Sequence, residues 1–277
     1  MKLIKRKQYY YYYHDEVNDD FANTNIETQK TPDDFEYLPK SPVYRLLGPL
    51  VYHFLVVNVS VGEKLFARIP IKNKKVLRHR KDCSRGYFIY SNHTSMLTDA
   101  VSAPISSYPR QCYTVAHPDV ISIKGIKTLV RMLGALPTPS TKNNYVNFLE
   151  GINQLYEEGC PIVIFPEAHI WPKYNKIRNF PSISFHYPVK LGAPCYVKTT
   201  VYRKRLNGHS KPVIYLDGPF YPNPDLPYRK ALEDLRDRVH DQMVRRVEEN
   251  ESYLDCRYHY IKVDSADEVR TEVRREK

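Results

Sequence analysis

Residues 91–99 (SNHTSMLTD) contain the side chains best suited to proton transfer. His93 follows a short aromatic and β-branched run, residues 87–90, that predicts a strand. A histidine at a strand end can offer one imidazole nitrogen to a substrate while a carboxylate holds the other nitrogen. Asp99 is the nearest acid downstream. The pattern indicates a general base, and a histidine with a purely structural role remains the alternative.

The spacing between His93 and Asp99 limits where the next helix can begin. Six residues of ideal helix turn through about 600°, so the two side chains would not share one face of a continuous helix. We therefore predict that His93 lies in the turn before a helix, with Thr94 or Ser95 as the N-cap. Asp99 then falls in an early helical turn.

Residues 163–172 (VIFPEAHIWP) form the second candidate segment. An apolar strand pattern ends at a Pro-Glu corner, which places Glu167 at the carboxyl end of a strand, where α/β sheets usually bind ligands. The loop that follows carries cations that suit a phosphate, namely Lys173, Lys176 and Arg178. By itself, the segment also fits an ordinary strand-end turn with a solvated glutamate.

Strand and helix patterns alternate from residue 86 onward, so both segments belong to one domain. Strand patterns cover residues 87–90, 111–116, 134–137, 161–165, 194–202 and 213–216, and helical patterns cover 120–132, 143–158 and 226–249. This alternation predicts an α/β fold with a mixed, largely parallel central sheet flanked by helices.

Composition narrows the class of protein. A chain of 277 residues, 42% hydrophobic and 26% charged, is typical of a globular domain with a full core. A net charge of +11 indicates an anionic partner, but no helix-turn-helix, zinc-finger or RNA-binding signature is present, so we expect no nucleic acid. The five widely spaced cysteines contain no Cys-x-x-Cys pair, and we expect reduced thiols without a metal.

The region before residue 86 favours a membrane surface. Residues 46–61 are the most apolar, but a helix of this length spans only about 24 Å and contains Pro49, His53 and Asn58. An interfacial or re-entrant helix fits better than a full span, and a core helix is the alternative. Residues 72–85 hold seven Lys or Arg against one acid, which would attract anionic head groups at about 1 kcal/mol per charge.

The N-terminal segment shows no secretory signal, because a five-tyrosine run replaces the apolar region that a signal requires. We therefore predict four regions. Residues 1–40 are a polar strap or tail, whose tyrosines would also suit a membrane interface. Residues 41–85 associate with a membrane, residues 86–263 are the catalytic domain, and residues 264–277 are a charged tail.

Together, Asn92-His93 with a following Asp, Phe165-Pro166-Glu167, and the Ala193-Pro194 strand resemble the glycerolipid acyltransferase family over residues 85–220. The bacterial 1-acyl-sn-glycerol-3-phosphate acyltransferases are the most similar members. That family encloses four residues between His and Asp, whereas this chain encloses five and has Thr98 in the usual place of the Asp.

Two further motifs depart from the family. Residues 134–139 (GALPTP) lack the Phe and Arg of the second motif, and residues 165–170 (FPEAHI) lack the Gly and Arg of the third. The missing arginines usually contact the acceptor phosphate. Replacement contacts are predicted from Lys142, Lys173, Lys176 and Arg178, with a contribution from His169.

The resemblance implies transfer of a fatty acyl group from acyl-CoA or acyl-carrier protein to the hydroxyl of lysophosphatidate or a related lysophospholipid, giving a phosphatidate-type product. His93, oriented by Asp99, would be the base, Glu167 and the basic loop would hold the head group, and no cofactor or metal is needed. Ser91 and Ser95 lie in no Gly-x-Ser-x-Gly turn, which favours direct transfer without an acyl-enzyme.

Two alternatives stay open. The acceptor could be a glycolipid or aminolipid, or the protein could bind anionic membranes through residues 46–85 without catalysis. The implied location is the cytoplasmic face of the cell membrane, peripheral or monotopic.

Overall fold

The computed structural model of the chain describes residues 6–22, 29–77, 84–122 and 125–276. It confirms the predicted α/β fold with a largely parallel sheet flanked by helices. The strands of the main sheet are β2 (Ile71–Lys72), β3 (Tyr87–Ser91), β4 (Tyr113–Ala116), β5 (Ala135–Pro137), β6 (Pro161–Ile164), β7 (Cys195–Lys204) and β8 (Ser210–Phe220).

The strand order places both candidate segments at one edge of the sheet. The order is β2-β8-β7-β3-β6-β4-β5, in which β7, β3, β6, β4 and β5 run parallel and β8 pairs antiparallel with β7. Because β3 and β6 are neighbours, the turn after Ser91 and the corner after Ile164 emerge side by side. Strand β7 flanks β3 on the other side, with Lys198 in register with Ser91.

The helices are α1 (Pro42–Gly62), α2 (Met96–Ser107), α3 (Asp119–Ser122), α4 (Lys127–Met132), α5 (Lys142–Glu157), α6 (His186–Leu191) and α7 (Tyr228–Glu249). Helices α5 and α7 begin and end within two residues of their predicted bounds. The single helix predicted over 120–132 is wrong in its described part, where α3 and α4 are separate, and residues 123–124 lie outside the described residues.

Alternation along the central strands builds an apolar layer on each face of the sheet. Every residue of β3 and β6 is buried. Phe88 and Ile162 face the layer that contains residues of α5 and α7, and Ile89 and Val163 face the layer that contains Tyr52 of α1. This packing on both faces fixes the strand ends from which the candidate segments leave.

A second sheet joins the two ends of the chain. Strand β1 (Arg6–Tyr13) lies between β10 (Arg270–Glu276), which is antiparallel to it, and β9 (Tyr258–Lys262), which is parallel to it. The predictions of a strap at residues 1–40 and of a C-terminal tail at 264–277 are therefore wrong where β1 and β10 form. Residues 1–5, 23–28 and 277 lie outside the described residues.

Helix α1 is largely exposed, so the alternative of a core helix is wrong. Among its residues, only Gly48, Tyr52 and Val56 are buried. The helical segment continues through a π-helical turn to Ala67, giving 26 residues that are long and apolar enough to cross a membrane. The length argument against a full span therefore fails. One helix of this kind is weak evidence of membrane association, and part of the basic cluster, residues 78–83, lies outside the described residues.

Candidate active site

His93 lies in the turn between β3 and α2, as predicted. Its Nδ1 is 2.9 Å from Oδ2 of Asp99, which lies in the first turn of α2. Ser95 is the N-cap, and its hydroxyl accepts from the N–H of Thr98. The His93 side chain is 17% exposed, and its ring stacks on Phe165 with centroids 4.3 Å apart. Among the described residues, none hydrogen-bonds to Nε2, so this nitrogen is available to a substrate.

Asp99 is held by several donors at once. Its Oδ2 also accepts from the backbone N–H groups of Thr94 and Ser95, at 3.1 and 3.0 Å. Its Oδ1 faces the ammonium of Lys198 at 3.5 Å. Burial raises the pKa of Asp99, but the charge of Lys198 and the bond to His93 outweigh burial, so the pKa lies below its ordinary value. The carboxylate is therefore ionised and fixes the His93 ring.

Glu167 supports the same turn from the neighbouring strand. Its Oε2 accepts from the His93 backbone N–H at 2.9 Å, and its Oε1 accepts from the Arg178 backbone N–H at 2.9 Å. The Arg178 guanidinium is 3.2 Å from Oε2 and donates also to the carbonyls of His169 and Glu16. Both side chains are buried, at 1% and 0% exposure. As placed, they brace the loop and present no polar surface to an acceptor, unlike the head-group contact that the sequence predicts.

The corner after β6 explains one departure from the family motif. Ala168 occupies the position at which the family has glycine, and its φ is +61°, in the left-handed region. Its N–H donates to the carbonyl of Phe165 at 3.0 Å, which closes the turn. A residue with a Cβ costs about 1–2 kcal/mol in this conformation, so Ala168 forms this turn at some cost in stability.

The other predicted head-group residues have different surroundings. Lys142 and Lys176 are exposed. Lys142 begins α5, two strands beyond β6. Lys173 is half-buried over the Tyr202 ring at 4.9 Å, and desolvation lowers the pKa of its ammonium. His169 is half-exposed, with Nδ1 3.7 Å from a carboxylate oxygen of Asp20.

The N-terminal segment closes over this loop. The Trp171 indole donates to the carbonyl of Asp19 at 2.8 Å, and the Phe21 N–H donates to the carbonyl of Ile170 at 3.3 Å. Trp171 also contacts the turn that contains His93, because its backbone N–H donates to the carbonyl of His93 at 3.1 Å. The segment that follows β1 therefore holds the loop that holds His93.

Sequence reasoning missed Lys198, Tyr202 and Asn92. The hydroxyl of Tyr202 is 2.8 Å from Oγ1 of Thr94, and the Asn92 amide exchanges two hydrogen bonds with the backbone of Thr200. These contacts tie the His93 turn to β7. The available signal was Lys198 itself, the one cation in the strand pattern of residues 194–202, because a buried lysine requires an anionic partner.

Among the described residues, one group has the composition of a metal site. Ligand atoms of His209, Asp255 and Cys256 lie within 4.8 Å of one another. Both carboxylate oxygens of Asp255 already accept from the Arg257 guanidinium, at 2.9 and 3.1 Å, which opposes a second cation. The absence of a metal role stays a prediction. Of the four cysteines described, all are free thiols, and Cys83 lies outside the described residues.

The part of the chain that contains this site is similar to a known family. Residues 68–202, which include the His93–Asp99 pair and Glu167, match the family model described as Acyltransferase. These residues form an acyltransferase domain. The match confirms the predicted relationship to acyltransferases and the prediction that the protein is an enzyme.

One solved structure similar to the chain is the 1-acyl-sn-glycerophosphate (LPA) acyltransferase PlsC from Thermotoga maritima. The TM-score is 0.47 at 18% sequence identity, and the alignment covers 76% of this chain and 98% of that chain. No curated protein matches the sequence.

Proposed function

We propose that this acyltransferase domain moves a fatty acyl group from a thioester, acyl-CoA or acyl-carrier protein, to the hydroxyl of lysophosphatidate or a related lysophospholipid. The product would be a phosphatidate-type lipid. The observation that carries the proposal is the His93 imidazole, which is bonded through Nδ1 to a buried carboxylate and leaves Nε2 open at the carboxyl edge of the sheet.

In this mechanism the acceptor O–H gives its proton to Nε2 of His93 while its oxygen attacks the thioester carbonyl carbon. The resulting oxyanion collapses, the C–S bond breaks, and the thiolate leaves with the proton carried by His93. Asp99 keeps the imidazole in the orientation and tautomer that present Nε2 to the hydroxyl. No acyl-enzyme is required.

Donors for the oxyanion come from the first turn of α2. The N–H groups of Thr94 and Ser95 are already bound by Asp99, and that of Thr98 by Ser95. The N–H groups of Met96 and Leu97 have no acceptor within the helix, because the first residues of a helix lack one. They support the proposal of an oxyanion site at this helix start.

The acceptor head group would meet the exposed Lys176 and the half-buried Lys173, which lie in the loop after β6. Lys142 would contribute from the start of α5. Because Arg178 is bonded within the protein, fewer fixed guanidinium contacts are available than the family motif provides. This feature keeps a glycolipid or aminolipid acceptor as the second candidate.

We also propose peripheral or monotopic binding to the cytoplasmic face of the cell membrane, and the exposed apolar helix α1 supports association with a membrane. The lipid substrates would then reach the site from the bilayer. Anionic head groups are the proposed partners of the basic residues that follow α1.

The test is incubation of the purified protein with acyl-CoA or acyl-carrier protein and a mixture of lysolipids, with products identified by mass spectrometry. We expect an acylated lysophosphatidate, and an acylated glycolipid or aminolipid would instead support the second candidate. His93→Ala should lower the rate by about 10²- to 10⁴-fold, because a positioned base contributes this much.

His117→Ala is the matched control, because His117 follows β4 at the same sheet edge and is 68% exposed. It should retain the activity of the unsubstituted protein. Near-normal turnover by folded His93→Ala would refute the base assignment. Binding to anionic liposomes without consumption of any thioester would instead support a non-catalytic membrane protein.

A further inference from the structure

Lys198 occupies an unusual place for a lysine. It lies in β7 among buried neighbours, its side chain is 0% exposed, and it faces the carboxylate of Asp99. Its Nζ donates to the hydroxyl of Ser102 at 3.0 Å and lies 5.7 Å from the centroid of the Phe165 ring. A lysine is almost never fully buried unless it is paired, so its partner gives the reason for its position.

The two oxygens of Asp99 have different surroundings. Oδ2 receives the His93 imidazole and two backbone N–H groups. Oδ1 makes no hydrogen bond within the described residues, and its nearest cation is Nζ of Lys198, 3.5 Å away. One carboxylate is thus shared between the imidazole on one oxygen and the Lys198 side chain on the other.

We propose that Lys198 is a positioning residue that offsets the charge of the Asp99 carboxylate, so that His93 remains unprotonated at lower pH than beside an uncompensated carboxylate. A base must be unprotonated to accept the acceptor's proton. The catalytic consequence rests on the proposed function, whereas the coupling between Lys198 and His93 does not.

The directions in which the pKa values of Lys198 and Asp99 are shifted agree with this geometry. Burial lowers the pKa of Lys198 below its ordinary value, and Asp99 opposes that effect. Burial raises the pKa of Asp99, but Lys198 and His93 more than reverse it. Other titratable groups of the described chain also surround His93, Asp99 and Lys198. They belong to the loop after β6, to β7 and to the approach to β4, and are Glu167, Lys173, Arg178, Tyr202 and Cys112.

The experiment compares Lys198→Met with the unsubstituted protein by NMR titration of the His93 imidazole. Methionine keeps the length of the side chain and removes the charge. Lys198 and the protonated imidazole carry like charges on the two oxygens of one carboxylate, and a like charge disfavours the charged form, so removal of Lys198 should raise the His93 midpoint by about one unit. The acidic limb of the kcat/KM profile should move in the same direction by the same amount.

Lys204→Met is the matched control. Lys204 lies on the same strand, six residues and about 20 Å from Lys198, and is exposed. Lys204→Met makes the same change in net charge as Lys198→Met. It should leave the His93 titration midpoint and the acidic limb of the kcat/KM profile unchanged. A purely structural role for Lys198 would lower stability in Lys198→Met without moving either.

An unchanged His93 midpoint in folded Lys198→Met would overturn the proposal. If the variant does not fold, ¹⁵N NMR of the Lys198 side chain in the unsubstituted protein decides: an ammonium throughout the His93 titration supports it, and a neutral amine overturns it. A shifted midpoint in a protein that transfers no acyl group would sink the proposed function while the coupling stands.

Discussion

Arg178 and Lys176 are cations of the same loop, two residues apart, with opposite surroundings. Arg178 is buried against Glu167, whereas Lys176 is exposed. Burying a charge is costly unless it is paired, and the pair here also holds the His93 backbone. The first residue is therefore part of the framework of the site, and the second is free to meet a phosphate.

Replacing each with methionine separates these roles. Arg178→Met leaves the Glu167 carboxylate buried without its counter-ion, and it should lower the free energy of unfolding by about 3–5 kcal/mol. Urea unfolding measures this loss. Lys176→Met, with the same change in charge, should leave the unfolding midpoint unchanged. If Arg178→Met were as stable as the unsubstituted protein, the bracing role of the pair would be wrong.

Single residues also show what the sequence could predict of the site. The position of His93 before a helix followed from the rotation between His93 and Asp99, because helical geometry is local. The burial of Glu167 and Arg178 was not predictable, since it depends on how the N-terminal segment covers the loop. The role of Lys198 was not predictable either, because its partner Asp99 lies on a helix that is distant in the sequence.

Among the elements, β1 connects the ends of the chain to the loop after β6. Tyr11 is 3% exposed and packs with Phe21 and the Tyr260 ring, which in turn stacks on Trp171 with centroids 5.2 Å apart. Tyr12 points to the other face, where it is half-buried beneath Arg270. Adjacent tyrosines of one strand thus have different energetic roles.

This difference gives a second prediction on stability. Tyr11→Ala should lower the free energy of unfolding by about 3–5 kcal/mol, as truncation of a buried aromatic ring does. Tyr12→Ala should cost about 1 kcal/mol or less, because it removes mainly a cation–π contact. Denaturant unfolding of the two variants measures both. Equal losses would show that β1 does not pack as described.

Strands β3 to β8 of the main sheet were predictable, whereas β2 and the strands of the second sheet were not, for a physical reason. Residues 87–90 and 161–165 are apolar runs bounded by polar turns, which buried parallel strands require. A run of five tyrosines has no alternation that could assign an inward face, and the charged residues of β10 give none either. The pairing of β1 with β10 joins opposite ends of the chain.

At the scale of the whole molecule, two groups of exposed apolar residues bear on how a lipid could reach His93. The outer face of α1 exposes Leu50 and Phe54, at 61% and 68%. Met96 and Leu97, at the helix start beside His93, are 55% and 75% exposed. A lipid acyl chain needs an apolar path from a bilayer to the base, and these residues provide apolar contacts at both ends of such a path.

The double variant Leu50→Glu/Phe54→Glu tests whether α1 binds the membrane. The two residues are four apart and share one helix face, so two carboxylates there should oppose insertion among acyl chains. We expect loss of flotation with anionic liposomes and at least tenfold slower transfer to bilayer-embedded lysolipid, with turnover of monomeric short-chain substrates retained. Ile183→Glu, at a site 68% exposed outside α1, is the control and should still float.

Undiminished flotation of the double variant would mean that another surface binds the membrane. Loss of transfer to both bilayer-embedded and monomeric substrates would show that α1 is needed for the fold as well. Retained turnover of monomeric substrate is the decisive result, because it separates delivery of the lipid by α1 from proton transfer at His93.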